Sequence, residues 1–244
     1  MKKQRTIMGM PVRINVIDKN VTSKDFSDVF SYLLYIDEKF STYKKNSEIS
    51  KINRGEIKRK DYSLEMKKIL NLSRETKKET NDYFDINING ALDPSGIVKG
   101  YAINQAAKIL KQKGFKNFYV EIAGDIEVYG KNEKNKKWNI GIQNPFNVKE
   151  NIKIIKLTNR GVATSGTYRK GFHIYDPIEK KPANDIASIT IIGPNVYEAD
   201  RFATAAFAMG EKGIEFISNL KGFEGYMVKK DKMAVLTKGF KNYV

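Results

Sequence analysis

The chain has 244 residues, 41% of them hydrophobic and 11% aromatic, enough for one large domain or two small intimate ones with a sizeable core. It has no cysteine and a single histidine, which excludes a disulfide framework, a thiolate metal site, a cysteine nucleophile and a multi-histidine metal site. The formal charge of +16 admits a nucleic-acid partner, but only eight of the 44 basic side chains are arginine and the lysines are scattered, so a solvated lysine-rich surface is the simpler account. No apolar run approaches the roughly 20 residues of a membrane span. Residues 1–9 lack the apolar core of a secretory signal. The expectation is therefore a cytoplasmic protein, or an exported one whose leader has been removed.

In chain order, residues 5–18 alternate as a strand through Val12, Ile14 and Val16, with Met8-Gly9-Met10 before it. Thr22 and Ser23 predict a capped helix over 24–38 with Phe26, Val29, Phe30, Leu33 and Leu34 on one face. A polar loop follows from Phe40, with a short helix from Ser47, and Tyr43 stands in it as an aromatic in a polar setting. It is able to stack on a ring, although an exposed tyrosine needs no ligand to explain it. Ser63 caps a second helix carrying Leu64, Met66, Ile69, Leu70 and Leu72 and ending near Asn81-Asp82. Tyr83 to Asn87 then reads as extended.

The stretch Asp93-Pro-Ser-Gly-Ile-Val-Lys-Gly100 is a tight polar turn running into an amphipathic helix. Pro94 fixes one backbone angle, Gly96 tolerates angles that other residues avoid, and Ser95 is a candidate cap. Free N–H groups at such a helix start attract phosphate, and Lys99 adds a full charge one turn in. Taken alone, the same residues read as an ordinary turn and cap, because phosphate-cradling turns are rarer than caps. The helix holds Tyr101, Ala102, Ala106, Ile109 and Leu110 on one face, and Gly114 ends it.

Residues 117–122 and 126–129 predict a hairpin tipped by Ala123-Gly124-Asp125. After a lysine-rich loop, residues 138–142, 152–157 and 187–192 read as strands, the small polar run 162–167 bends into Tyr168 and Arg169, and His173-Ile-Tyr-Asp-Pro177 follows. A helix begins near Asn195, and residues 225–228 and 233–237 predict a closing hairpin. Hairpins interspersed with helices give an α+β class with mainly antiparallel sheet and packed helices.

Asp200 and Thr204 fall i, i+4 on the helix after Asn195, so both oxygens share one face. A carboxylate and a hydroxyl suit a hard cation such as Mg²⁺; the alternative is a surface aspartate beside a threonine bonded to its own helix. The alanines and phenylalanines around them imply a buried helix, where an aspartate needs a partner. His173 is the one side chain whose ordinary pKa lies near neutrality, and so the first candidate for a general base.

Several of these segments, in this order and across nearly the whole chain, resemble the FAD:protein FMN transferases of the ApbE type. They are Met8-Gly9, Ser41 to Glu48, Phe84-Asp85, Asp93 to Tyr101, Ala123-Gly-Asp125, Ala163 to Gly166, His173 to Pro177, and Glu198-Ala-Asp200 with Thr204. The resemblance implies an ApbE-like, T-fold-related architecture in a single flavin transferase domain over 1–244, or two intimate subdomains with the site between them. It also implies an activity: FAD is cut at its pyrophosphate and FMN passes to a Thr or Ser hydroxyl of an acceptor flavoprotein bearing an Asp-x-Ser/Thr-Gly-Ala-Thr-like segment, with AMP leaving. Mg²⁺ would be held by Gly96, Asp200 and Thr204. FAD would be bound by Met8, Tyr43, Tyr83, Phe84, Asp85, Asp93, Lys99, His173 and Ile174, with His173 as the base. The chain departs from the family pattern at Met10, at Ala123, at Ile178-Glu-Lys180 and in the short spacer between Asp85 and Asp93. Hydrolysis of FAD to FMN and AMP uses the same groups. A flavin carrier without catalysis and a basic nucleic-acid-binding protein are the readings from other classes.

Overall fold

The structure is a computed structural model; it describes residues 1–167 and 174–244. Two strands open the chain, β1 (Lys2–Ile7) and β2 (Met10–Val16), where one was expected over 5–18. Met8 and Gly9 form the turn between them with φ of +57° and +66°, a pair of left-handed residues suited to a two-residue hairpin. Helix α1 (Ser23–Phe40) starts from Thr22, whose hydroxyl accepts the Asp25 N–H while the Asp25 carboxylate accepts the Thr22 N–H, a reciprocal capping box. Leu34, expected on its buried face, is exposed; Ile36 and Phe40 complete that face instead. Then come α2 (Glu48–Asn53), capped by Ser47, and α3 (Leu64–Glu79), capped by Ser63, with Leu64 itself exposed.

Residues 83–86 are not a strand. A small hairpin, β3 (Asn87–Ile88) and β4 (Ala91–Leu92), follows them, turned by Asn89-Gly90 with both φ positive. Ser95 does not cap α4 (Ser95–Gln112). Pro94 holds the cap position without a side-chain bond, and the Asp93 carboxylate accepts the Ser95 N–H at 3.0 Å. At the far end Gly114 (φ +88°) and Phe115 return N–H bonds to Lys111 O and Leu110 O, closing the helix in a Schellman motif.

The hairpin β5 (Phe118–Ile122) and β6 (Asp125–Tyr129) turns at Ala123-Gly124. A second hairpin, β7 (Trp138–Asn144) and β8 (Asn147–Leu157), stands as a sheet of its own. Next come β9 (Arg160–Gly166), the short pair β10 (Tyr175–Asp176) and β11 (Lys181–Pro182), and β12 (Ile186–Gly193). Helix α5 (Val196–Ala208) is capped by Asn195 and followed by α6 (Gly213–Ser218). The chain closes with β13 (Glu224–Lys229), β14 (Ala234–Leu236) and a short 3₁₀ turn.

One antiparallel sheet, in the order β1-β2-β5-β6-β9-β12-β13-β14, carries the architecture. Helices α4 and α5 pack against each other on one face, with α1 beside α4. The β7–β8 hairpin and Phe240 cover the other face through Trp138, Ile140, Ile155 and Leu157. This explains β12, whose eight residues are all buried: Ile189 and Ile191 join the helical side while Ala187 and Ile192 join the hairpin side. A strand covered on both faces reads as a near-continuous apolar run, here broken only by the small hydroxyl residues Ser188 and Thr190. Among the described residues, no helix is long and apolar enough to cross a membrane.

Candidate active site

The site is built where α4 crosses α5. Gly96 and Gly100 lie i, i+4 on α4, and they face Asp200 and Thr204, i, i+4 on α5. A methyl group at Gly100 would stand 2.5 Å from Asp200 Cβ; one at Gly96 would stand 3.0 Å from Thr204 Cγ2 and 3.2 Å from Phe84 Cε2. Gly96 thus has ordinary helical backbone, and its missing side chain serves close approach rather than unusual angles. The bare backbone brings polar atoms together. The Gly100 N–H donates to Asp200 Oδ2 at 2.7 Å, and Thr204 Oγ1 lies within hydrogen-bonding reach of Gly96 O (3.2 Å) and Asp200 O (3.1 Å).

Lys99 joins this crossing to the sheet. Its Nζ lies 2.5 Å from Asp125 Oδ2 and 3.4 Å from Asp200 Oδ1, with both aspartates buried. Burial alone would lower the Lys99 pKa, but the carboxylates of Asp125 and Asp200 outweigh it and hold the ammonium above the usual lysine range. Burial pushes the Asp200 carboxyl well above the usual carboxylate range; Lys99 opposes that shift and Asp125 adds to it. Asp125 Oδ1 accepts the Thr164 N–H at 3.1 Å, while its Oδ2 meets Lys99 as an ion pair without hydrogen-bond geometry. Two buried carboxylates therefore share one ammonium, and the cluster is short of positive charge.

A cleft of about 260 Å³ opens over this floor. It gathers every described residue that the sequence put forward: Met8 from the β1–β2 turn, Tyr43 from the α1–α2 loop, Tyr83, Phe84 and Asp85 from the turn after α3, then Asp93, Gly96, Lys99, Ile174, Asp200 and Thr204. Phe84 is buried and its N–H donates to Thr80 Oγ1 at 3.2 Å; Asp85 is held by Lys77 at 2.6 Å. Tyr43 is 98% exposed at the rim, so none of the described residues covers its ring. His173 lies outside the described residues, as do Tyr168 and Arg169.

Further lining residues lie outside the expected site set, among them Asp125, Asp37, Gly141, Gln143 and Thr164 to Gly166. Asp125 belongs to a segment that carries the family resemblance but reads locally as a hairpin tip; an acid directly after a two-residue turn is the only local signal it carries. Asp37 lines the cleft from a helix face and is paired with Lys44 at 2.6 Å. Gly141 and Gln143 arrive from β7 without any local mark of function, and Thr164 to Gly166 arrive from β9, a segment that carries the family resemblance but no site assignment.

Among the described residues, no group of three or more His, Cys, Asp or Glu side chains is placed to hold a metal ion. The oxygens of Gly96, Thr204 and Asp200 are nevertheless all hard donors, and the carboxylate excess beside them calls for positive charge. Such a set fits Mg²⁺, which keeps several positions for water and substrate phosphates rather than demanding an all-protein cage.

With this geometry in view, the chain was compared with known proteins. The model of the ApbE family matches residues 8–92 and 89–227. The FAD:protein FMN transferase of Haemophilus influenzae is 33% identical over 158 residues, 60% of this chain and 46% of that protein. That of Escherichia coli K12 is 26% identical over 150 residues, 57% of this chain and 43% of that protein. The chain spans about half the length of the curated relatives it matches. Among solved structures, the flavin transferase ApbE of Vibrio cholerae superposes with a TM-score of 0.88 at 22% identity, covering 100% of this chain and 99% of that one. The ApbE protein of Thermotoga maritima gives 0.90 at 23% identity, covering 100% and 98%. The fold is thus that of the ApbE structures, and with the family's model matched across both walls of the cleft, this chain belongs to the ApbE family.

Proposed function

We propose that this chain moves FMN from FAD to a Thr or Ser hydroxyl of an acceptor protein, releasing AMP, with Mg²⁺ at the Gly96, Asp200 and Thr204 oxygens. The observation that carries the reading is the Lys99–Asp125–Asp200 cluster, set at the floor of one cleft beside the three cation donors. The names of the Haemophilus influenzae and Escherichia coli relatives support it. A dinucleotide pyrophosphate is a dense negative charge, and a divalent cation held by this carboxylate-rich floor would, together with Lys99, supply the positive charge to receive it.

Each group has a task. A divalent cation bound there supplies charge neutralisation at the pyrophosphate. Lys99, kept fully protonated by its two carboxylates, presents a fixed positive charge on the same side. Met8, Phe84 and Ile174 offer apolar surface to a ring system, and Tyr43 offers an uncovered aromatic face. Asp93 and Asp85 supply acceptors for ligand N–H and O–H groups. His173 takes the proton from the acceptor hydroxyl. Its oxygen then bonds to the FMN phosphorus as the bond from that phosphorus to the bridging oxygen breaks, and AMP departs with the bridging oxygen. Gly166 and Ile174, on either side of the undescribed segment, line the cleft. Holding the hydroxyl, phosphorus and leaving oxygen in line supplies much of the acceleration. The acceptor is a flavoprotein with an Asp-x-Ser/Thr-Gly-Ala-Thr-like segment.

The test is incubation of the chain with FAD and Mg²⁺, with and without a carrier protein bearing an Asp-Gly-Ser-Gly-Ala-Thr segment. A carrier that gains the mass of FMN and fluoresces on a denaturing gel is the expected result. Release of FMN and AMP with the carrier unmodified would replace transfer by hydrolysis. Intact FAD throughout would refute both.

A further inference from the structure

Arg201 follows Asp200 on α5 and does not line the cleft. It is nonetheless buried, and no step of the proposed reaction uses it. Its guanidinium reaches in two directions. Nε and Nη2 donate to Glu198 Oε2 at 2.8 and 2.6 Å on its own helix. Nη1 pairs with Glu79 Oε2 and lies 3.3 Å from Thr76 Oγ1, both on α3. The plane rests on Phe202, 4.0 Å from the ring centroid.

These contacts close a ring of elements. Helix α3 runs into the turn where Thr80 holds Phe84 and Lys77 holds Asp85. Phe84 and Thr204 both reach Gly96, with an atom of each within 3.2 Å of where a Gly96 Cβ would stand. Thr204 returns to α5. One arm of the ring is set by Arg201 and the other is the site itself, so the length of the first fixes the spacing in the second.

We propose that Arg201 is a positioning residue: by bridging Glu198 on α5 to Glu79 and Thr76 on α3, it sets α5 against the Phe84–Gly96 wall and so tunes the affinity of the site for its cation and for FAD. This rests on the reading of the site given above. The planar fork matters because it serves two carboxylates on two helices in fixed directions, which a lysine ammonium on a flexible stem does not reproduce.

The experiment uses the full chain and the variants Arg201→Met, Arg201→Lys and Glu79→Gln. Three quantities are measured: Mn²⁺ affinity without FAD, FAD affinity by fluorescence quenching, and the kcat and KM of FMN transfer. Supports of metal-ligating groups typically contribute roughly 10–100-fold in affinity. Arg201→Met is expected to weaken Mn²⁺ and FAD by that range with kcat little changed, Arg201→Lys to recover part of the loss, and Glu79→Gln to shift both affinities in the same direction by less. Should Arg201→Met not fold, Arg201→Lys and Glu79→Gln decide alone, since Glu79 is half exposed. Variants that melt lower yet bind Mn²⁺ and FAD as the wild type does would overturn the proposal and leave Arg201 a packing residue. A wild-type chain that binds neither probe would overturn the functional reading, and this inference with it.

Discussion

Replacing Gly100 by alanine tests the helix crossing on which the site depends. At an unencumbered position inside a helix this change stabilises, by about 1 kcal/mol, because alanine loses less backbone freedom than glycine. Here the new methyl would stand 2.5 Å from Asp200 Cβ and 2.9 Å from both Asp200 Oδ2 and Val196 O. Carbon atoms pack at about 3.5–4.0 Å, so α4 and α5 must separate by about 1 Å or Asp200 must turn away. Overpacking of this kind costs about 1–3 kcal/mol. Disturbing the 2.7 Å bond from Gly100 N–H to the Asp200 carboxylate adds about 1.5–3 kcal/mol, the scale of a hydrogen bond to a charged group. Less the gain in propensity, the net is about 3 kcal/mol destabilising, a fall in Tm of roughly 6–12 °C for a chain of this size. Thermal and urea unfolding of the two proteins measure it. Gly96→Ala should cost less, since the Thr204 methyl and the Phe84 ring edge are side-chain atoms that can give way. A Gly100→Ala protein as stable as the wild type, or more so, would refute the crossing geometry.

Three further outcomes are expected. Asp200→Ala should lower Mg²⁺-dependent turnover of FAD by more than about 100-fold, the scale lost when one preorganised electrostatic group is deleted; normal turnover would reject Asp200 as a cation donor. His173→Ala should retain FAD binding and slow transfer by about 10²–10⁴-fold, the usual contribution of a positioned base; an unchanged single-turnover rate would remove it from that role. Glu127 is buried with Oε2 accepting the Val196 N–H at 2.6 Å, and burial pushes its carboxyl from an ordinary 4.5 up to about 7. The folded state therefore holds this proton more tightly than the unfolded chain does. Its contribution to stability is fully present below pH 4.5 and lost as pH rises through 7, on the order of 3 kcal/mol by pH 8. Glu127→Gln abolishes the titration, so its stability relative to the wild type should rise between pH 5 and pH 8; parallel pH profiles would contradict the assignment.

Local signals were legible where the chain answers to its own neighbours. Thr22 and Ser63 cap the helices expected of them, and Ser47 and Asn195, where only helix starts were expected, cap theirs, because a cap is a bond between a side chain and an N–H two or three residues on. The errors lie where a competing local donor or a turn was overlooked. Asp93 took the Ser95 N–H and left Ser95 inside the helix. Asn89-Gly90, a standard hairpin pair, passed unread between Asp85 and Asp93, and the left-handed Met8 hid a second strand. Leu34 and Leu64 show that helical spacing places residues on a stripe without saying how wide the covering neighbour is.

From the linear chain alone came the class of fold, the helix caps and the family pattern, since these depend on residue type and spacing over a few positions. The tertiary structure decided which charges meet. Asp125, Lys99 and Asp200 are far apart in sequence, and nothing local to any of them states that two buried acids share one ammonium. That outcome follows from two helices allowed to touch through Gly96 and Gly100, and from a sheet that brings β6 and β9 beneath them. Coulomb energy depends on distance and on exclusion of water, and both are properties of the assembled packing rather than of order along the chain.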